Sequence, residues 1–192
     1  DVISIENTLT QLKCLNLEKP LIVTDNGYYS QKNMMEFALR NVKFLTLVDP
    51  NIIWVRETVD ALRETLAGMS STCPFDPSIC GATSPRMHQF TRARQRSRNG
   101  KVAGEKETIS RRLYVHVYYS PDNEAKKELA FRKDLLELKA LIEGGKTEFT
   151  ESAQKKTDKY LTCFRNGSGG QLEVGFNDKA ITGAKKYFGY FA

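Results

Sequence analysis

Two short apolar runs on either side of a helical pattern constrain the fold of this chain most. Residues 21–24 form a continuous apolar and β-branched run, typical of a buried strand. The run ends at Asp25-Asn26-Gly27, which is a turn signal, and Ser30 then offers an N-cap for a helix. Residues 44–48 predict a second strand. The order strand, helix, strand indicates a parallel sheet and an α/β fold.

Periodicity and turn residues predict further elements along the rest of the chain. In chain order we expect a short helix around Ile5 to Leu12, a long helix from Ile52 that ends near Gly68, a strand at 114–119, a helix from Pro121 to Gly144, a hairpin formed by 160–164 and 172–176, a short helix at 180–185 and a final aromatic strand at 187–191. Hydrophobic content of 40% is enough for a packed core.

The positive charge of the chain is concentrated in one stretch. The formal net charge is +6, and residues 86–112 hold nine basic side chains against Glu105 and Glu107, which is 9 − 2 = +7. A local excess of this kind favours nucleic acid as a partner. Residues 69–112 also hold three prolines and many Ser and Thr residues, so we predict a loop or weakly structured insertion there.

Arginines alternate with other residues from 92 to 98, and this run is predicted to contact DNA. If the segment is extended, its guanidinium groups point to one side, and their geometry matches phosphate well. The alternative is a solvated flexible loop. The predicted DNA-binding residues are Arg92, Arg94, Arg96, Arg98, Lys101, Arg111 and Arg112.

Cysteine spacing and hydropathy indicate the cellular compartment in which the chain is expected. The four cysteines form no CxxC pair, so they predict free, mostly buried thiols in a reducing cytoplasm. We find no signal peptide and no apolar run of membrane-spanning length. Because the chain starts at Asp1 without methionine and stops inside an aromatic segment, we expect it to be part of a longer protein.

Residues 21–33 resemble the second-aspartate motif of DDE transposases from bacterial insertion sequences. In that motif a hydrophobic strand ends in Asp-Arg-Gly-Tyr/Phe and is followed by Ser and a helix. The chain departs from it at Asn26, where arginine is common. Residues 1–5, 43–48, 114–119 and 187–191 are similar to neighbouring segments of the same family, and the likeness is weakest from 69 to 112.

The resemblance implies a catalytic role for one residue. Asp25 corresponds to the second catalytic acid and to a ligand of Mg²⁺ or Mn²⁺, which prefer hard oxygen donors. The first acid is expected upstream of Asp1 and the third downstream of Ala192. The parent enzyme would cleave and transfer DNA strands at transposon ends, whereas this fragment is expected to be inactive on its own.

The resemblance also implies a domain organisation and partners. We expect an α/β fold with part of an RNase H-like core at 1–66, an α+β insertion domain with a basic loop at 67–183, and a return strand of the core at 184–192. The expected partners are DNA and a second copy in a homodimeric synaptic complex. The expected location is the bacterial cytoplasm, at the nucleoid and away from membranes.

Other interpretations of the same residues remain open. Asp25 could be a turn aspartate that caps local backbone, and Asp49 is expected to cap the helix after it. His116 is interpreted as a packed or surface histidine. The chain as a whole could instead be a non-catalytic nucleic-acid-binding domain, or a metal-dependent nuclease on the same fold.

Overall fold

The structure is a computed structural model that describes residues 2–15, 17, 20–94, 102–165 and 172–192. Short 3₁₀ turns lie at Asn26–Tyr28 and Met69–Ser71. The helices and strands of the described residues are α1 Val2–Cys14, β1 Leu21–Thr24, α2 Gln31–Leu39, β2 Lys43–Thr46, α3 Ile53–Leu66, β3 Thr72–Cys73, β4 Asp76–Ala93, β5 Lys106–Tyr119, α4 Pro121–Glu143, α5 Glu151–Tyr160, β6 Leu161–Arg165, β7 Leu172–Phe176, α6 Asp178–Lys185 and β8 Tyr190–Phe191.

Strands β1 and β2 pair in parallel, with helix α2 between them in the chain. The register runs from Leu21 opposite Lys43 to Thr24 opposite Thr46. The pairing continues one step further, because the backbone N–H of Leu47 donates to the carbonyl of Thr24 over 3.2 Å. The predicted strand, helix, strand order with both strands in one parallel sheet is therefore confirmed.

A curled four-stranded antiparallel sheet has the order β3-β4-β5-β8. Its long strands β4 and β5 occupy most of residues 69–112, so the prediction of a loop or weakly structured insertion there is wrong. The inward positions of β4 include Arg86, His88 and Arg92, and these polar side chains weaken the apolar alternation that signals a strand. Pro85 lies beyond Cys80, where the pairing of β3 with β4 ends.

The chain divides into two compact units. The first comprises residues 1–71, 81–118 and 191–192, and the second comprises 72–80 and 119–190. In the first unit, Phe37 and Phe44 stack with ring centroids 5.1 Å apart. The buried core of this unit consists of Ile5, Leu9, Met34, Met35, Phe37, Ala38 and Phe90. It covers the inner face of β1 and β2, where Ile22 and Phe44 pack.

The second unit is built around helix α4. The hydroxyl of Ser120 accepts from the N–H of Asn123 over 3.4 Å, and Pro121 follows at the first helical position, as predicted. Its core is formed by Leu138, Ile142, Leu161 and Val174. Strands β6 and β7 pair antiparallel, which confirms the predicted hairpin, and the connecting residues 166–171 lie outside the described residues.

No helix in the described part of the chain combines the length and apolar character that a membrane crossing requires. The four cysteines are free, as predicted. Cys14 and Cys163 are exposed and Cys73 and Cys80 are only partly buried, so the prediction that the thiols are mostly buried is wrong.

Candidate functional site

Asp25 lies directly after the last residue of strand β1, at the carboxyl edge of the parallel pair. Its side chain is exposed, and Oδ1 accepts a hydrogen bond from the N–H of Gly27 over 3.0 Å. Its backbone carbonyl accepts a hydrogen bond from the hydroxyl of Thr46, at the end of β2, over 3.3 Å. This edge is where open α/β sheets collect ligands and catalytic groups.

The turn that carries Asp25 is held from within by Asn33, which the sequence reasoning did not single out. Asn33 is only 1% exposed, and its Nδ2 donates to the carbonyl of Tyr28 over 2.8 Å. Its backbone N–H donates to Oγ of Ser30, the predicted N-cap of α2, over 3.1 Å. Asn33 therefore links the start of helix α2 to the 3₁₀ turn after Asp25.

The acidic groups at this edge do not assemble a metal site within the described residues. No group of three His, Cys, Asp or Glu side chains there is arranged to hold a metal ion. Oδ1 of Asp49 accepts from the N–H and the Nδ2 of Asn51 over 2.8 and 2.9 Å. The N-cap position of α3 is Ile52, so the prediction that Asp49 caps this helix is wrong. Asp25 alone suits one coordination position of a hard cation and leaves the rest to other donors.

A cavity of about 350 Å³ opens in the first unit beside the ends of β1 and β2. Thr24 and Thr46 line one side, and aromatic residues of β5 line another. His116, one of these β5 residues, is partly buried, and its Nδ1 lies 2.8 Å from the hydroxyl of Thr83 on β4. The packed or surface-facing role predicted for this histidine is consistent with that position.

Two of the predicted DNA-binding arginines are engaged in ion pairs. Arg92 donates to Glu36 through Nη1 and lies 3.4 Å from Glu107 through Nε, while Arg94 lies 3.1 Å from Glu107. The Arg92 and Arg94 side chains are only 17% and 16% exposed. Their charge is therefore largely compensated by carboxylates.

The remaining predicted DNA-binding residues differ in their surroundings. Nη2 of Arg111 donates to the carbonyl of Ala38 over 3.3 Å. Arg112 is exposed on β5, and no described residue forms an ion pair with it. The last three, Arg96, Arg98 and Lys101, lie outside the described residues.

A buried aromatic cluster contains His88, which no pattern in the sequence distinguishes. The His88 ring lies 4.9 Å from Trp54 and 4.7 Å from Phe90, between centroids, and the residue is 8% exposed. Burial lowers the pKa of His88 below its ordinary value, and the charge of Arg86 lowers it further. Nε1 of Trp54 also donates to the hydroxyl of Tyr29 over 3.2 Å.

Comparisons of the chain with protein-family models, with curated proteins and with solved structures found no match.

Proposed function

We propose that this chain is a fragment of a DDE transposase, whose parent enzyme cuts and joins DNA at transposon ends. The observation that carries the proposal is the position of Asp25, which directly follows the first of two parallel strands. Its carboxylate is exposed at the edge of the sheet where catalytic groups of α/β folds gather. The resemblance of residues 21–33 to the second-aspartate motif is the reason for proposing that Asp25 is catalytic.

A second contact supports an RNase H-like core that is interrupted and then resumed. The backbone N–H of Val48, just beyond β2, donates to the carbonyl of Ala192 over 2.8 Å. A segment proposed as the return strand of the core thus reaches the extension of β2. The intervening residues 72–80 and 119–190 form a separate compact unit, which suits an insertion.

The chemistry proposed for the parent enzyme explains why this chain is expected to be inert alone. DNA cleavage and strand transfer are phosphoryl transfers, and two metal ions about 3.5–4 Å apart stabilise the attacking and leaving oxygens. Asp25 would supply one of the carboxylate ligands of such a centre. Its Oδ1 also accepts from Gly27, so the turn fixes the direction of the carboxylate before any ion binds. The other acids would come from outside residues 1–192.

Substitution in the full-length parent protein tests the proposal. Asp25→Asn keeps the shape of the side chain and removes its charge, so transposon-end cleavage should be abolished while DNA binding is largely retained. Asp49→Asn is the matched control, because an asparagine oxygen can still accept the hydrogen bonds from Asn51. A full-length Asp25→Asn protein that still transposes would overturn the proposal.

A non-catalytic nucleic-acid-binding module is the second candidate. It is favoured by the absence of a metal-binding group among the described residues and by the net charge of +6. In that case Asp25→Asn would leave every activity of the parent protein unchanged. A simple nuclease on the same fold would cleave DNA in Mg²⁺ but would join no strands, which a strand-transfer assay distinguishes.

A further inference from the structure

We propose that the outer face of the β4–β5 hairpin binds single-stranded DNA by stacking bases on its aromatic side chains. Side chains alternate along a strand, so every second residue shares this face. The positions on it are exposed or partly buried, whereas the opposite positions hold His88, Phe90, Val115 and Val117. The outer face consists of Thr83, Pro85, Met87, Gln89, Thr91 and Ala93 on β4, and of Lys106, Thr108, Ser110, Arg112, Tyr114, His116 and Tyr118 on β5.

Side-chain contacts between the strands confirm that these residues share a face. The hydroxyls of Thr91 and Thr108 lie 3.0 Å apart, and the hydroxyl of Thr83 lies 2.8 Å from Nδ1 of His116. These two pairs lie towards opposite ends of the hairpin, so the alternate residues between them lie on the same face. The whole surface belongs to the first compact unit.

The charges of the outer face suit a polyanion. It contains Lys106 and Arg112 and no acidic residue. Both cations are exposed, and neither forms an ion pair with a residue that the structure describes. Glu107, which is on the same strand and pairs with Arg92 and Arg94, lies on the opposite face. Phosphates that approach the outer face would therefore meet uncompensated positive charge.

The aromatic side chains of this face supply the surface for stacking. Tyr114 is 63% exposed, and Tyr118 is 38% exposed and stacked on Phe191, with ring centroids 5.3 Å apart and an interplanar angle of 20°. Tyr114, His116 and Tyr118 stand at alternate positions, about 6.6–6.8 Å apart along the strand. That spacing would place a base held by Tyr114, the most exposed of these rings, beside the stacked pair of Tyr118 and Phe191.

The same features disfavour a folded protein as the occupant. Protein interfaces concentrate apolar residues at their centre, whereas this face has its aromatic rings at one end and polar Thr, Ser and Gln side chains along the rest. Base stacking on aromatic rings beside cationic side chains is the usual arrangement for single strands. The inference goes beyond the catalytic proposal for Asp25 and does not depend on it.

Fluorescence anisotropy of the 192-residue chain with a fluorescein-labelled oligothymidylate tests the proposal. Tyr114→Ala should raise the Kd about 5- to 150-fold, which corresponds to the loss of one stacked base. Tyr114→Phe keeps the ring and should bind like the unmodified chain. Tyr114→Thr keeps β-propensity and removes the ring, so it should reproduce the loss without weakening the strand. Phe164→Ala is the matched control, because Phe164 is a strand aromatic of the other unit with 59% exposure.

Two further measurements distinguish binding by base stacking from binding by charge alone. Arg112→Ala should reduce the slope of log Kd against log salt by about 0.7, the value for one contact with a single strand. A polyglutamate competitor, which offers negative charge without bases, should displace the oligonucleotide poorly. Equal Kd values for Tyr114→Ala and Phe164→Ala, equal displacement by polyglutamate, or binding to duplex DNA alone would overturn the proposal.

Discussion

Arg92 on strand β4 donates to Glu36 on helix α2, and the two side chains are 17% and 9% exposed. Glu36 also lies 3.3 Å from Arg40, and Arg92 is shared with Glu107. A largely buried carboxylate thus ties the β4–β5 hairpin to the helix that follows Asp25. The ion pair sits within the first unit and fixes the position of β4 against α2.

Glu36→Gln should lower the free energy of unfolding by about 1–3 kcal/mol. The substitution removes one partner and leaves the Arg92 guanidinium with less compensation in a partly buried position. Urea unfolding measures the change. Lys155→Gln is the control, because its pair with Glu151 is 74% and 84% exposed and should change the free energy by less than about 0.5 kcal/mol. Equal effects would show that Glu36 has no special role.

The arginines of the basic stretch should contribute unequally to duplex DNA binding. Replacing both Arg96 and Arg98 with alanine should make the slope of log K against log salt shallower by about 1.8, or 0.9 per contact. Replacing Arg92 and Arg94 should change the slope much less, since Glu36 and Glu107 already compensate their charge. Binding titrations over a range of salt distinguish the two. Equal slopes for both double variants would contradict this division.

His88 should make the chain less stable in mild acid. Its pKa is lowered in the folded state, so its contribution to stability is complete above the ordinary value of 6.5. As pH falls through that value towards the lower folded pKa, the unfolded chain takes up a proton first and stability is lost.

Urea midpoints of the unmodified chain and of His88→Gln at pH 7.5 and 5.5 measure this effect. The midpoint should fall more for the unmodified chain. The same pH dependence in the chain and in His88→Gln would exclude His88 as its source.

Gly189→Ala should destabilise the second unit strongly. Gly189 has φ of +80°, and a Cβ there would lie 2.8 Å from the carbonyl oxygen of Ser120. The positive φ alone costs roughly 1–2 kcal/mol for a residue with a side chain. Gly183→Ala in helix α6 has open space around its Cβ and should stabilise by about 0.5–1 kcal/mol. Thermal unfolding of both variants should show shifts of opposite sign.

Local signals in the sequence were sufficient for the elements around Asp25. The apolar run before it, the N-cap Ser30 and the second run after Lys43 each determine local structure through neighbouring residues, and all three form the predicted elements. The prediction that the first run is a buried strand is wrong, because Leu21 and Val23 are exposed. The hairpin of β4 and β5 was missed because its inward side includes charged residues whose partners, such as Glu36, are distant in sequence. The periodicity of a single sequence carries no information about pairs of residues that are distant in sequence.

Helix α5 shows the same limit on a smaller scale. Its only fully buried side chain is Thr157, so it carries almost no apolar stripe. The N-cap Thr150, which accepts from the N–H of Ala153 over 3.4 Å, and the acidic Glu151 in the first turn were the signals that could have revealed it. The burial of His88 was equally hidden, because the rings around it come from α3 and β4.

The hydrogen bond from Val48 to Ala192 has a consequence for how the chain folds. It joins segments separated by about three quarters of the sequence, and contacts of such separation slow folding because the loop must close before the contact contributes any stability. The first unit therefore cannot complete its hydrogen bonding until residue 192 has been synthesised. Helix α4 and the β6–β7 hairpin are built from local contacts and can form earlier.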